Sequence, residues 1–272
     1  MTPGPGTDTE QFGVYESDDF ASINNTWSYC YFHGSENAFH PAGDNINNWI
    51  IEYSYFDTNW SSSAHHGEQF SIWGADNLTI RYNYFNGYAG TGLVMAGGDG
   101  VTEDNMQIYG NVFFNIGTTA GGGNGAFGTM DSAGTTHLTN WKIYNNTFIN
   151  GDVRLSIPSG GSTSGWQIAN NLFYNAATDT FNGTPSGTYD YNYASVSWNW
   201  PTGAHDQVAS ANPFVNLASG DYHLANDTDT WTTLPSPYNV DPDGVQRTSS
   251  RGAFQFGGLR PSTPTQLTGM VQ

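Results

Sequence analysis

Cysteine is nearly absent: the 272 residues hold one, Cys30. No internal disulfide can form, so rigidity has to come from packing and hydrogen bonding. Basic residues are scarce as well, six Lys plus Arg against 24 Asp plus Glu, for a formal charge of −18. A surface of that sign gains no counterion release on nucleic acid and is repelled by anionic lipid, so both are poor partners. A polyanionic glycan would be repelled too unless Ca²⁺ bridged it. There is no run of 18 apolar residues, which excludes a membrane-spanning helix. The start, Met1-Thr2-Pro3-Gly4-Pro5-Gly6, lacks the basic residues and apolar stretch of a secretory leader and reads as the beginning of a mature chain. Zinc-site spacing, a phosphate-binding Gly/Lys loop and a nucleophile elbow are all missing.

What is present points to a β-rich extracellular protein. Only 11% of residues are charged, whereas 37% are apolar, 15% are aromatic and 34 are Gly. That much large apolar side chain can bury a core, which excludes disorder. A nine-residue pattern, N-x-x-I-x-x-N-x-F, recurs six times with variation: NNTWSYCYF from Asn24, NWIIEYSYF from Asn48, NLTIRYNYF from Asn77, NMQIYGNVF from Asn105, NWKIYNNTF from Asn140 and GWQIANNLF from Gly165. Successive starts are 24, 29, 28, 35 and 25 residues apart. A coil of a parallel β-helix, three short strands and three turns, needs about that length.

Strand alternation assigns the faces. Positions two and four point inward, as in Trp49 and Ile51 or Trp141 and Ile143. Position seven turns inward at a bend, as Cys30, Ser54, Asn83, Asn111, Asn146 and Asn171, and position nine is Phe in all six copies. Coils about 4.8 Å apart turn these columns into ladders. Asn suits the bend because its amide bonds to its neighbours above and below and because it tolerates a left-handed backbone. The expected fold is all-β: a right-handed parallel β-helix, a solenoid of six to seven coils. Its expected organisation is an N-terminal segment or cap over 1–23, the β-helix over 24–256 and a linker-like tail over 257–272.

The repeats resemble those of the right-handed parallel β-helix superfamily of pectate-lyase-like proteins, from Asn24 to about Phe256. The stretches ANPFVNLASGDYHL (Ala211–Leu224) and PYNVDPDGVQRTSSRGAFQ (Pro237–Gln255) resemble the closing segment of secreted bacterial β-helix proteins of the choice-of-anchor Q kind. The usual Asp before Gly-Ala and Glu after it are here Arg251 and Gln255. Pro261–Gln272 resembles the Pro/Thr-rich entry to a fibronectin type III domain, which implies further domains in the natural protein. The resemblance implies secretion, and a polysaccharide substrate lying in a groove along one sheet.

Several residue groups are candidates for that chemistry. The strands ahead of each motif copy form the expected groove, with Gln69 and Arg154 facing out and His40 on the same face. His66 and Glu68, two residues apart, project to one strand face and can share a proton as general acid and base. Arg154 is the candidate base for abstracting the C5 proton of a uronate, a role the superfamily often gives to Arg or Lys. Asp99, Glu103 and Asp104 in a Gly-rich loop are the candidate Ca²⁺ ligands, since a hard cation takes several carboxylates. Position six carries Tyr29, Tyr53 and Tyr82 and position eight carries Tyr31, Tyr55 and Tyr84. Both sets should stack outward, and tyrosine surfaces bind the apolar faces of sugars. Tyr53, Tyr82 and Tyr84, with His40 and Gln69, are the expected substrate-binding residues. The reading that follows is a secreted polysaccharide lyase or glycoside hydrolase. The alternatives are a non-catalytic glycan-binding or adhesive module and a structural subunit that associates end to end.

Overall fold

A computed structural model describes residues 12–16, 22–34, 37–41, 46–57, 68–72, 74–87, 92–96, 100–116, 125–128, 135–157, 159–181, 183–196, 198–229 and 231–258. Among them there is no α-helix, only a 3-10 turn at Leu217–Ser219. The strands pair in parallel, coil upon coil, into a β-solenoid of about five turns. This is fewer than the six to seven coils expected from counting repeats.

Four columns of strands make the wall. The first runs from Ser22–Ile23 through Ala75–Asp76 and Thr102–Asp104 to Ser162–Ser164. The second stacks seven strands, from Thr26–Ser28 to Gly187–Asp190, with Ile51, Ile80, Ile108, Ile143 and Ile168 in register. The third begins at Tyr31–His33 and the fourth at Phe12–Glu16. The ten-residue strands Thr147–Ser156 and Leu172–Phe181 span both of these columns and join them into one 13-stranded sheet.

Inside, the position-nine rings form one pile. Phe32, Phe56, Phe85, Phe113, Phe148 and Phe173 follow each other at 4.9, 4.6, 4.6, 4.9 and 4.7 Å, with planes 6–11° apart. Each such contact adds about 0.5–1.5 kcal/mol beyond the area it buries. Trp141 stacks on Trp166 in the same way at 4.7 Å. Trp198 and Trp200 close the lumen edge-on against Phe173, at 5.2 and 5.1 Å.

The position-seven amides form a buried ladder. Asn111 is representative: its Nδ2 donates to the Ile80 carbonyl of the coil before and to Asn146 Oδ1 of the coil after, while its Oδ1 accepts the backbone N–H and Nδ2 of Asn83. Asn146, Asn171 and Asn192 repeat the pattern, and Asn192 hands its amide to the carboxylate of Asp206. The expected left-handed backbone at position seven is not found. It falls instead at positions one and six, where φ lies between 49° and 67°. Position six is Tyr29, Tyr53 and Tyr82 in the first three copies, then Gly110, Asn145 and Asn170.

The chain closes by doubling back along the outside. Phe214–Asn216 and Asp221–Leu224 form an antiparallel hairpin whose Tyr222 packs 6.2 Å from Tyr84 and 5.5 Å from Phe114. Thr232 exchanges two hydrogen bonds with the Asn170 side chain. Tyr238 wedges edge-on between Tyr109 and Tyr144, 4.9 Å from each, and its carbonyl accepts from Asn145 Nδ2. Gly252 sits where any side chain would strike the wall, since a Cβ would lie 2.7 Å from Thr147 Oγ1 and 3.1 Å from Leu172 Cβ. Arg251 and Gln255 each hold this segment through local bonds. Arg251 is fully buried and donates to Gln207 Oε1 and the His205 carbonyl. Gln255 accepts from the Thr248 and Ser249 amides through Oε1 and donates to the Phe256 carbonyl through Nε2, which a Glu could not do.

Candidate functional site

The closing segment decides which tyrosines face solvent. At position six, Tyr82 is only 6% exposed and its hydroxyl donates to the Val240 carbonyl. At position eight, Tyr84 is half-buried under Tyr222. The expectation of open binding rings at Tyr82 and Tyr84 is therefore corrected: both lie outside the lumen, yet the chain's own C-terminal segment covers them. Two coils nearer the N-terminus that cover ends. Tyr29 is 68% exposed and Tyr31 41%, with Tyr53 and Tyr55 half-buried beneath them.

These four rings flank one corner of the solenoid, on either side of the Cys30–Ser54 bend. Tyr29 and Tyr53 stack at 5.3 Å with planes 9° apart, and Tyr53 meets Tyr82 at 5.2 Å. Stacking along the column uses up both faces of Tyr53, which leaves the face of Tyr29 turned away from it as the open aromatic plane. Tyr31 lies 5.8 Å from Tyr55 and parallel to the His33 ring. Asp57 joins the group, accepting from the Tyr31 hydroxyl at 3.2 Å and meeting His33 Nδ1 at 3.2 Å. Burial, then the Asp57 charge, raises the Tyr55 hydroxyl pKa to about 12, and the same causes raise that of Tyr31. Both hydroxyls therefore stay protonated and remain donors. The nearest cation is committed: Arg81 bonds Glu52 through Nε at 2.7 Å and Tyr109 through Nη1 at 3.0 Å.

Tyr29 and Tyr53 carry backbone strain. A left-handed conformation costs a residue with a Cβ roughly 1–2 kcal/mol, a cost that Gly avoids and Asn reduces. The next three coils place Gly110, Asn145 and Asn170 at position six, and the coil after them places Tyr191 there, also left-handed, with its ring stacked on His205 at 4.3 Å. At Tyr191 the strain is offset by a stacked ring, whereas the Tyr29 ring is 68% exposed, and strain of this kind concentrates at functional positions.

The other expected site residues scatter. His66 and Asp99 lie outside the described residues, as do the side chains of His40 and Glu68, whose backbones are in the fourth column. Gln69 faces away from the lumen but is fully buried, its Nε2 on the Gly87 carbonyl, so it offers nothing to a ligand. Arg154 is on the outer face and pairs with Asp179 at 3.1 Å. Glu103 and Asp104 are adjacent on one strand and must point to opposite faces. Glu103 is fully buried inside, accepting the Gly74 amide, while Asp104 faces out and accepts from Thr139 and Asn140. The two cannot share one Ca²⁺. Among the described residues no cluster of His, Cys, Asp or Glu has metal-binding geometry.

Two groups escaped the sequence reading. Asp57 and His33 occupy position ten, just past each motif, and belong to the tyrosine corner. His223 bridges Asp221 and Asp243 in the closing segment. The pair Asp221-x-His223 on one strand face was a legible signal, but Asp243 becomes its neighbour only through the fold. No protein-family model matches the chain, and no curated protein sequence does either. The likeness to parallel β-helix proteins rests on the solenoid itself.

Proposed function

We propose that this chain is an extracellular, non-catalytic glycan-binding module, and that its binding surface is the tyrosine corner of the first two coils. The observation that carries the reading is the combination of strain and exposure at Tyr29. A ring held in a costly backbone conformation, with its open face toward solvent, serves binding better than it serves stability. Asp57, His33 and the tyrosine hydroxyls supply hydrogen bonds to sugar hydroxyls around that plane. With two carboxylates nearby, Glu52 and Asp57, and the one local guanidinium already paired, the surface suits a neutral sugar and disfavours uronates and sulfated glycans.

The test is a titration of neutral and uronate oligosaccharides, with and without Ca²⁺, against the native chain and Tyr29→Ala/Tyr31→Ala. Neutral sugars should bind the native chain alone, with the variant's unfolding midpoint unchanged. Binding that survives the double substitution removes the corner from consideration. Release of reducing ends or of unsaturated products in the same incubations would replace this reading with the lyase or hydrolase one.

A further inference from the structure

We propose that His223, bridging Asp221 and Asp243, is a proton-operated latch that ties the Tyr222 hairpin to the Val240 turn, the two parts of the C-terminal segment that cover the tyrosine columns, and so sets how many tyrosine rungs a ligand can reach. For its ligand this inference rests on the glycan-binding reading; for the movement it does not.

The geometry is specific. His223 belongs to the closing hairpin, and its Nδ1 lies 2.6 Å from Asp221 Oδ1 on its own strand. Its Nε2 lies 2.7 Å from Asp243 Oδ2, in the separate turn that follows Val240. The ring rests on Phe254, 4.2 Å away, the residue that plugs the same apolar cluster as Val112, Leu172 and Tyr222. A carboxylate only accepts, so both contacts are hydrogen bonds only when both ring nitrogens carry hydrogen. Loss of the proton turns one nitrogen lone pair toward a carboxylate, and an attraction becomes a repulsion.

The surroundings favour the charged form. Burial works against the His223 cation, but Asp243 and Asp221 outweigh it, and the pKa is raised. Asp241 braces the turn from behind, accepting the Asp243, Val245 and Gln255 amides. Arg247 donates to the Gly252 and Ala253 carbonyls. Tyr84 and Tyr222 complete the shell, and burial raises both hydroxyls, so neither titrates near neutrality. Because the folded His223 pKa is raised, the latch contributes fully below the ordinary histidine value of about 6.5 and is lost as pH rises through the folded value.

The latch is placed to matter. Tyr222, its neighbour, lies on Tyr84, and Val240, just ahead of Asp243, takes the Tyr82 hydroxyl. Releasing these contacts would extend the exposed columns from two rungs to three.

Hydrogen exchange of residues 211–258, corrected for intrinsic rates between pH 5 and 8.5, reads the latch directly. Protection in the native chain should fall as pH rises, by about tenfold for each unit by which folding raises the His223 pKa. His223→Gln should show the same low protection at every pH. Asp243→Asn, which keeps a hydrogen-bonding partner, should move the transition to lower pH. Constant protection in the native chain, or unchanged pH dependence in His223→Gln, overturns the proposal. Sugar titrations across the same pH range separate the two readings. A pH-dependent segment with no sugar bound at any pH leaves the latch standing and removes its ligand, whereas sugar binding with flat exchange does the reverse.

Discussion

Gly110 lies directly against the ring of Tyr82: a Cβ on it would sit 2.7 Å from both Cδ1 and Cε1 of that ring. It also has φ +66°, so it serves the turn and the tyrosine column at once. Gly110→Ala should cost about 2–4 kcal/mol, summing left-handed strain and a displaced aromatic ring. Gly244 offers the contrast, with φ +79° and nothing within 4 Å of a Cβ, so Gly244→Ala should cost only the strain, about 1–2 kcal/mol. Urea unfolding of the two variants gives the difference, and equal losses would mean that the ring moves aside freely.

In the amide ladder, Asn111→Ala removes the side-chain partner of the Ile80 carbonyl and of the Asn83 backbone N–H inside the core, while Asn146 Oδ1 keeps the Asn111 backbone N–H and Asn83 Nδ2 keeps the Ile51 carbonyl. Each orphaned buried group costs about 1–3 kcal/mol, so a loss of about 2 kcal/mol or more is expected. Asn111→Asp should cost at least as much, since a carboxylate cannot donate to Ile80 or to Asn146. A loss below about 1 kcal/mol for either variant would show that water enters the ladder.

Glu103 holds its carboxyl in the interior, where burial raises its pKa well above the ordinary range. A folded carboxyl that binds its proton more tightly than the unfolded one loses stability as pH rises from about 4.3 toward the folded pKa. Glu103→Gln removes that dependence and should be the more stable protein at neutral pH. Unfolding midpoints of both chains from pH 4 to 8 check this, and parallel curves would contradict it.

Arg251 anchors the closing segment against the last coils through Gln207 and the His205 carbonyl. Arg251→Ala empties the space of a fully buried side chain and leaves these half-buried acceptors to water, and should cost about 1–3 kcal/mol. Arg251→Lys should recover only part, because a single ammonium cannot span both acceptors. Full recovery by Lys in a denaturant titration would mean that charge alone, not the fork of donors, holds the segment.

Tyr29→Asn tests the strain argument at the proposed site. Asn tolerates left-handed φ better than Tyr, so the variant should match or exceed native stability by up to about 1 kcal/mol while losing sugar binding. A clear drop in the unfolding midpoint would assign Tyr29 to structure.

The solenoid was legible because its signal is periodic. Position nine is Phe in all six motif copies and position seven is Asn in the last four, and a repeated residue at a fixed inward position has one place to go. The candidate site was legible only in part. Tyr53 was identified as a surface ring, but the burial of Tyr82 and Tyr84 depends on Val240 and Tyr222, more than a hundred residues away, and no local pattern announces that contact. Glu103 sits in a stretch whose Gly-rich surroundings have the composition of a loop, while the short strand Thr102–Asp104 alternates and turns it inward. Gln69 faced the expected way, yet the chain at Gly87 covers it.

Asp206 gives the molecule a direction. Every asparagine before it passes a proton donor on to the next coil, and a carboxylate, having none to pass, is where the relay stops. Coils could be inserted between any two asparagine rungs, since each new amide would take from one side and give to the other. Beyond Asp206 there is nothing to take from, so proteins of this design can grow in the middle but not at that end.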